Sequence, residues 1–387
     1  MSMHSAADRV PGEARRIVIT GAAGLLGRHC LVRLHARNCA ARFRGEPAPY
    51  DLVPLDRAAF NDAAGLAAAL EGATAVFHFA GVNRGPEAEV EAGNIDIATR
   101  LAEACRASAS RAHVVYANST HAASDTPYGR SKRRAGEILA AAAPRFTDLV
   151  LPHIFGEGAR SFYNNVTATF IHQVIGGENP SVNSEGRVQL LHAGAAVEAA
   201  IAAVAQGASG ELRPVPRPMS VGDLLARLQG MHASYGANLF PDLSDPFDLA
   251  LFNSYRAALY PDGFPRPLKL NTDARGVLFE AAKGGGGGQT FLSWTEPGVT
   301  RGNHFHLDKV ERFLVLEGEA IIRIRRVPDG PVWEFRVDGR QPAAVDMPTL
   351  HTHSIENIGD RPLLTMFWTQ AVFDPAAPDT YADPVLG

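Results

Sequence analysis

The apolar positions of this chain fall into two textures. Over residues 16–206, short unbroken apolar runs (RIVIT, DLVPL, TAVFHFAG, AHVVYAN and TDLVLP) alternate with Ala-rich stretches such as Leu25–Leu34, Glu87–Cys105 and Tyr128–Ala143, whose apolar residues recur at helical spacing. A run that is apolar on both faces predicts a buried parallel strand, and the helical stretches between such runs predict the crossovers that cover it. This half therefore predicts a doubly wound parallel α/β sheet. After Gly210 the texture changes: RPVPRPMS predicts a connector, SVGDLLARLQGMH a capped helix, and a second helix is expected from about Pro246 to Leu259. From about Lys269 onward QTFLSW, RFLVLEG, EAIIRIRR, VWEFRV and PLLTMFW carry no helical period, which predicts an all-β barrel or jelly roll. The five consecutive glycines Gly284–Gly288 predict a mobile turn between two of its strands.

With 387 residues, 46% hydrophobic and 20% charged, the chain has the profile of a folded protein and the length for two domains, expected at 14–262 and 263–387. A net charge of −4 with interspersed signs lacks the basic face that a nucleic-acid binder needs. No apolar run reaches the ~20 residues that span a bilayer, and the first residues contain no apolar stretch of the signal-peptide kind. Cys30, Cys39 and Cys105 stand in no metal or redox spacing, so a reduced, cytoplasmic chain is expected.

The first strand runs directly into Thr20-Gly21-Ala22-Ala23-Gly24-Leu25-Leu26-Gly27 and then a helix. Glycines are needed where such a turn is tight, where backbone approaches a pyrophosphate, and where helix packs on strand; the helix N-terminus then offers free N–H groups to phosphate. Gly21, Gly24 and Gly27 are thus candidate dinucleotide-binding positions of a Rossmann sheet. The second strand ends in Asp56-Arg57, where Asp56 suits the free ribose hydroxyls of NAD and Arg57 the 2′-phosphate of NADP, so these two residues leave the cofactor open. The stretch Asn38–Tyr50 reads as an insertion that separates them from the glycines.

Tyr128-Gly129-Arg130-Ser131-Lys132 sets a phenol and an ammonium at i and i+4 on one helix face, where the cation is expected to lower the phenol pKa and ready it for proton exchange with a carbonyl. Upstream, a strand ends in Ser119, whose hydroxyl is positioned to bond the same oxygen. TGAAGLLG, FHFAGVNR, Asn94, Ser119 and YGRSK together resemble the extended short-chain dehydrogenase/reductase superfamily over about residues 16–206. The resemblance implies Tyr128 as acid/base, Lys132 on the nicotinamide ribose and Ser119 on the substrate, with Leu25, Leu26, Ala80 and Gly81 as further cofactor contacts.

In the C-terminal half, His304-Phe305-His306 is followed by Glu311, and Pro348 by His353 and Asn357. Residues two apart on a strand share a face, so His304 and His306 point into one barrel, where Glu311 and His353 join them. Three imidazoles and a carboxylate suit Zn²⁺, Fe²⁺, Mn²⁺ or Ni²⁺, with Zn²⁺ the leading candidate. His351 is expected to be an exposed loop residue. These blocks resemble the cupin superfamily over about residues 269–372, with one departure at Leu350, where that family has glycine.

The whole chain, including FYNNVTATF (162–170), PGVTRGNHFH (297–306), HSIENIGD (353–360) and FDPAAPDTY, resembles a family of bifunctional capsular polysaccharide enzymes that fuse the two folds. The resemblance implies a UDP-linked 2-acetamido-2,6-dideoxy-4-keto-hexose as substrate, C3 epimerisation in the cupin, NADPH-dependent C4 reduction in the reductase domain (NADH remaining open), and a homodimer without nucleic-acid or membrane partners. Two other readings stay open: an NAD-recycling nucleotide-sugar dehydratase or epimerase whose cupin only binds sugar, and a non-catalytic nucleotide sensor. The intact Ser119, Tyr128 and Lys132 argue against the sensor, which needs no proton donor.

Overall fold

Burial follows the apolar runs: in the computed structural model, which describes residues 14–183, 185–274 and 276–386, Ile17, Val18 and Ile19 of the first strand are at most 2% exposed. In chain order the elements begin β1 (Arg15–Thr20), α1 (Leu25–Phe43), β2 (Tyr50–Leu55), α2 (Arg57–Asn61), α3 (Ala63–Leu70), β3 (Ala73–His78), α4 (Glu87–Ala107), β4 (His113–Ser119), α5 (Pro127–Ala142) and β5 (Arg145–Leu151). They continue with β6 (His153–Phe155), α6 (Val166–Ile175), β7 (Arg187–His192), α7 (Ala193–Gln206), β8 (Gly210–Leu212), β9 (Arg217–Ser220), α8 (Val221–Gly236), β10 (Leu239–Phe240) and α9 (Pro246–Ala257). The β-rich remainder comprises β11 (Arg266–Pro267), β12 (Leu270–Asp273), β13 (Gly276–Phe279), β14 (Lys283–Gly284), β15 (Gln289–Thr295), β16 (Thr300–Phe305), β17 (Glu311–Glu317), β18 (Glu319–Arg326), β19 (Val332–Asp338), β20 (Ala343–Met347), β21 (His351–Asn357), β22 (Leu363–Thr369) and β23 (Tyr381–Ala382).

Two compact units result, one of residues up to Pro152 with Ala193–Val215, the other of His153–His192 with the chain from Pro216 onward. The first is the doubly wound sheet, six parallel strands in the order β2-β1-β3-β4-β5-β8. Its order reverses between β1 and β3, and at such a switch point the strand ends leave a crevice for a ligand. Much of the stretch read as an insertion is helix, since α1 runs on to Phe43; the Asn38 side chain then bonds both backbone groups of Tyr50, at 2.9 and 3.0 Å, and so fixes the entry into β2.

The second unit joins a small sheet, β6-β7-β9, and helices α6, α8 and α9 to two five-stranded antiparallel sheets, β11-β20-β17-β22-β15 and β19-β18-β21-β16-β23. The apolar faces of the two sheets enclose Phe313, Val315, Ile322, Ile324, Val345, Ile355 and Phe367, the core of a jelly roll. A second cluster ties Leu224, Leu228 and Phe252 of the helices to Leu314 and Trp368 of the barrel, with Phe240 stacked on Trp368 at 4.3 Å. Charge is buried there too: Arg312 holds Asp346 in a bidentate pair at 2.6 and 2.9 Å, and Tyr235 of α8 donates its phenol to the same carboxylate.

Two expectations are corrected in this unit. The polyglycine run does span the turn between β14 and β15 and is exposed, but it is tethered rather than free: Gly284 pairs with Phe240, Gly285 N–H donates to Phe240 O at 2.8 Å, and a Cβ on Gly288 would stand 2.7 Å from Thr369 O and 2.8 Å from Trp368 Nε1. His351 is buried rather than exposed, at 8%, because its ring stacks on Trp333 at 5.6 Å and on Tyr260 at 6.4 Å. Leu350 adopts φ +60, the left-handed conformation that glycine would take without cost, and hydrogen bonds from its N–H to His306 O and from Val327 N–H to its carbonyl hold it there. Among the described residues no helix is long and apolar enough to cross a membrane.

Candidate active site and metal centre

At the end of β1, Gly21 turns the chain with φ +65, and a Cβ there would lie 2.8 Å from Ala80 N. Gly27 packs the first turn of α1 so closely on the loop that a Cβ would overlap Gly21 O. Gly24 is the N-cap of α1 and brings no side chain to it, so the N–H groups of Leu25, Leu26 and Gly27 keep the orientation a pyrophosphate needs. Asn94 clamps the neighbouring loop: its Oδ1 accepts from Val82 N–H at 2.9 Å, while its Nδ2 donates to Val82 O and to Ser131 Oγ on α5. The loop carrying Ala80 and Gly81 is thereby fixed beside the glycines. At the end of β2, Asp56 caps α2 by accepting from Ala59 N–H at 2.8 Å, and Arg57 is the first residue of that helix.

The structure brings Ser119 and Tyr128 together, with Lys132 one turn further along α5. The Ser119 side chain lies beside the Tyr128 phenol, near enough to favour its ionised form. Gly129, a position the sequence reading passed over, makes this approach feasible. A Cβ there would stand 2.6 Å from Ser124 O and would overlap His121 O, so a larger residue would push α5 off the turn that follows Ser119. Burial raises the Tyr128 phenol above its ordinary range, and the Ser119 side chain opposes this. This differs from the expected lowering by Lys132, whose ammonium is directed elsewhere: Nζ donates to Ala117 O at 2.6 Å and lies 4.2 Å from the centre of the Tyr116 ring. Burial brings the Lys132 amine down to about 7, with Asp148 acting against it. Asp148, held by Asn118 Nδ2 at 3.0 Å, is a further group that sequence reasoning missed.

In the barrel, His304, His306, Glu311 and His353 converge, their candidate ligand atoms all lying within 4.8 Å of one another. His304 and His353 are cross-strand partners on β16 and β21, His306 lies just past the end of β16, and Glu311 opens β17 in the opposite sheet. Burial, with the neighbouring His353 and His306, pushes His304 down to about 3. Burial works against ionisation of Glu311, but the neighbouring His306 and His353 rings, when they carry a proton on Nε2, hold its carboxyl well below the usual range. A cavity of about 170 Å³ opens beside Glu311, with Phe291, Lys309, Gln370 and Phe373 in its wall.

The donor set fits a cation. His306 Nδ1 lies 2.5 Å from the Asp379 carbonyl and His353 Nδ1 3.4 Å from the His351 carbonyl. A carbonyl only accepts, so each Nδ1 carries a proton, and in the neutral imidazole each Nε2 then presents a lone pair. Those lone pairs face Glu311 Oε2 at 3.1 and 3.4 Å, and the buried His353 Nε2 makes no hydrogen bond of acceptable geometry. Neutral rings thus set acceptors against acceptors in a dry site, a conflict that a proton or a bound cation between them relieves.

Both halves of the chain match known protein families. Residues 17–215 match the NAD dependent epimerase/dehydratase family, and residues 271–381 match the polysaccharide biosynthesis C-terminal domain. Over 377 residues the chain is 30% identical to a UDP-2-acetamido-2,6-beta-L-arabino-hexul-4-ose reductase of Pseudomonas aeruginosa, covering 95% of this chain and 98% of that protein. The crystal structure of the capsular polysaccharide assembling protein CapF from Staphylococcus aureus is similar over 96% of this chain and 100% of its own, at 28% identity and a TM-score of 0.55. A UDP-N-acetylglucosamine 4-epimerase from Methanobrevibacter ruminantium shares the fold over 64% of this chain and 99% of its own, at 17% identity and a TM-score of 0.52.

Proposed function

The chain belongs to the NAD dependent epimerase/dehydratase family, and from that premise we propose that it reduces the C4 ketone of a UDP-linked 2-acetamido-2,6-dideoxy-4-keto-hexose with NADPH, after epimerising C3 in the barrel. The observation that carries the reductive half is the contact of Ser119 with Tyr128 on a helix that also carries Lys132, in a chain similar from end to end to a 4-ulose reductase.

Gly21, Gly24, Leu25, Leu26, Gly27, Ala80 and Gly81 would hold NADPH, which would supply the hydride. Tyr128 donates its proton to the C4 oxygen as negative charge develops there, Ser119 holds that oxygen, and Lys132 grips the nicotinamide ribose. Arg57 favours NADPH by pairing with the 2′-phosphate, because Asp56 spends one carboxylate oxygen on its helix cap. In the barrel, His304, His306, Glu311 and His353 would hold one divalent cation, Zn²⁺ foremost, which supplies positive charge where an enolate oxygen needs it. The order of steps follows from the chemistry. A 4-keto group acidifies the C3 proton, so epimerisation must come first, and reduction removes the acidifying group and fixes the product.

The exposed surface supports a homodimer. β15 is the end strand of its sheet and exposes Phe291, Leu292 and Trp294, and the β12–β13 hairpin exposes Leu270, Val277 and Leu278. An unpaired apolar edge of this kind is covered in a soluble protein, and a second copy covers it symmetrically. Light scattering should give a mass near twice 41.3 kDa.

Product analysis by NMR tests the activity. With the UDP-4-keto sugar and NADPH, wild type should yield the C3-inverted 4-hydroxy sugar. Tyr128→Phe should lose about 10²–10⁴-fold in NADPH oxidation while solvent deuterium still enters C3. Retained reduction by Tyr128→Phe would remove Tyr128 as the acid. Copurified NAD with no net NADPH consumption would replace the reductase with a recycling dehydratase or epimerase.

A further inference from the structure

The segment between β22 and β23 returns across the barrel and ends as a strand beside the one that carries His304: His304 pairs with Ala382, and Phe305 with Tyr381. At its turn stands Asp379, half-buried, with φ 43. The left-handed backbone turns its carbonyl and its side chain toward the same loop. Its carboxylate accepts three consecutive backbone N–H groups, Leu307 at 2.9 Å, Asp308 at 2.9 Å and Lys309 at 2.8 Å, while its carbonyl accepts His306 Nδ1–H at 2.5 Å. Lys309 closes the arrangement from the other side, its Nζ donating to Pro378 O at 2.7 Å and to Thr380 Oγ1 at 3.2 Å.

Three N–H groups on one carboxylate form a rigid anion nest, and the charge assistance makes each bond stronger than a neutral one. The nest fixes the position of the Asp379 backbone relative to residues 306–309, so the carbonyl reaches His306 from a set direction. A neutral imidazole has two tautomers, and only the form protonated at Nδ1 aims a lone pair from Nε2 at Glu311.

We propose that Asp379 is a positioning residue: by anchoring the C-terminal strap to the loop after His306, it fixes the His306 tautomer and hence the direction of the Nε2 lone pair. Its consequence for metal affinity rests on the cation reading of the four-residue cluster. The anchor lies 73 residues from His306 and 68 from Glu311 in sequence and depends on a chain segment that contributes no ligand itself.

The test uses the full-length protein, Asp379→Gly and Asp379→Asn. Glycine keeps the left-handed backbone and deletes the carboxylate. Asparagine tolerates the same backbone and keeps one acceptor oxygen, but aims N–H at N–H with its amide nitrogen. Long-range ¹⁵N spectra of the histidines in metal-free protein at pH 8, with His306 assigned by loss of its signal in His306→Gln, read the tautomer directly. Wild type should show His306 protonated at Nδ1, and Asp379→Gly should show a mixture. Competition with a chelator, using Zn²⁺ alone as the probe, should show the dissociation constant rise about 10–100-fold in Asp379→Gly and less in Asp379→Asn. An Asp379→Gly protein with the wild-type tautomer and Zn²⁺ affinity overturns the proposal, even if its melting temperature falls, because the role is then only structural. If wild type takes up no Zn²⁺, the cation reading fails, and the tautomer comparison still decides for or against Asp379.

Discussion

Glu311 and Arg312 are adjacent on β17, and their cross-strand partners Met347 and Asp346 are adjacent on β20, yet the two buried charges live in opposite circumstances. Successive side chains on a strand point to opposite faces. Arg312 turns toward the helices and meets a complete set of partners: Asp346 in a bidentate pair, Ala281 O at 3.1 Å and the Asn238 side chain, while Tyr235 completes the Asp346 carboxylate. Glu311 turns into the barrel and meets the Nε2 atoms of His306 and His353. The difference separates structure from chemistry. A buried ion pair that satisfies itself asks for nothing further, whereas a buried cluster of imidazoles around one carboxylate has the donor set to take up a cation.

The largest expected effect comes from breaking each side in turn. Asp346→Ala leaves Arg312 charged and buried at 1% exposure, and an orphaned buried charge costs about 3–5 kcal/mol. That loss should be the same with Zn²⁺ or with chelator. Glu311→Gln should behave in the opposite way. In chelator it should melt no lower than wild type, since it removes an anion that faces acceptors. With Zn²⁺ it should lack the stabilisation that wild type gains, about 2.7 kcal/mol at a hundredfold excess over the dissociation constant. Urea unfolding of the full chain under both conditions checks this, and equal losses for the two variants in chelator would erase the distinction between the clusters.

What could be read in advance follows the same line. The glycine loop, the Tyr128–Lys132 spacing and the barrel cluster of His304, His306, Glu311 and His353 were legible because chemistry demands particular residue types at short, fixed separations. The jelly roll and the parallel sheet were legible because burial on one face or two imposes its own period. The Arg312–Asp346 pair was not, since either residue alone looks like a surface charge and 34 positions separate them. His351 looked exposed because the rings that bury it, Trp333 and Tyr260, come from other segments. The polyglycine run looked free because its neighbours, Phe240 and Trp368, lie far along the chain on either side. Asp379 carried no signal in its own neighbourhood. Leu350 did carry one: the replacement of an expected glycine marked a backbone that proves to be left-handed.

The smallest expected effect extends the comparison to a second buried cation. Burial works against the charge on Arg312, but Asp346 more than offsets it and the guanidinium stays charged. Lys132, at 6% exposure, has no such bidentate partner, and its amine falls from 10.5 to about 7, with Asp148 opposing the shift only in part. The sign follows from proton counts. Between pH 7 and 10 the unfolded lysine holds its proton and the folded one has lost it, so folding releases a proton and stability rises with pH at about 1.4 kcal/mol per unit. Below pH 7 both states are charged and the slope vanishes. Lys132→Met removes the titration while keeping the length of the side chain. The stability of wild type relative to Lys132→Met should therefore increase from pH 7 to pH 9 and stay level from pH 6 to pH 7, in urea unfolding followed through the unit that contains α5. A difference that stays level across the whole range would mean that Lys132 keeps its ordinary pKa, with Asp148 holding its charge as fully as Asp346 holds that of Arg312.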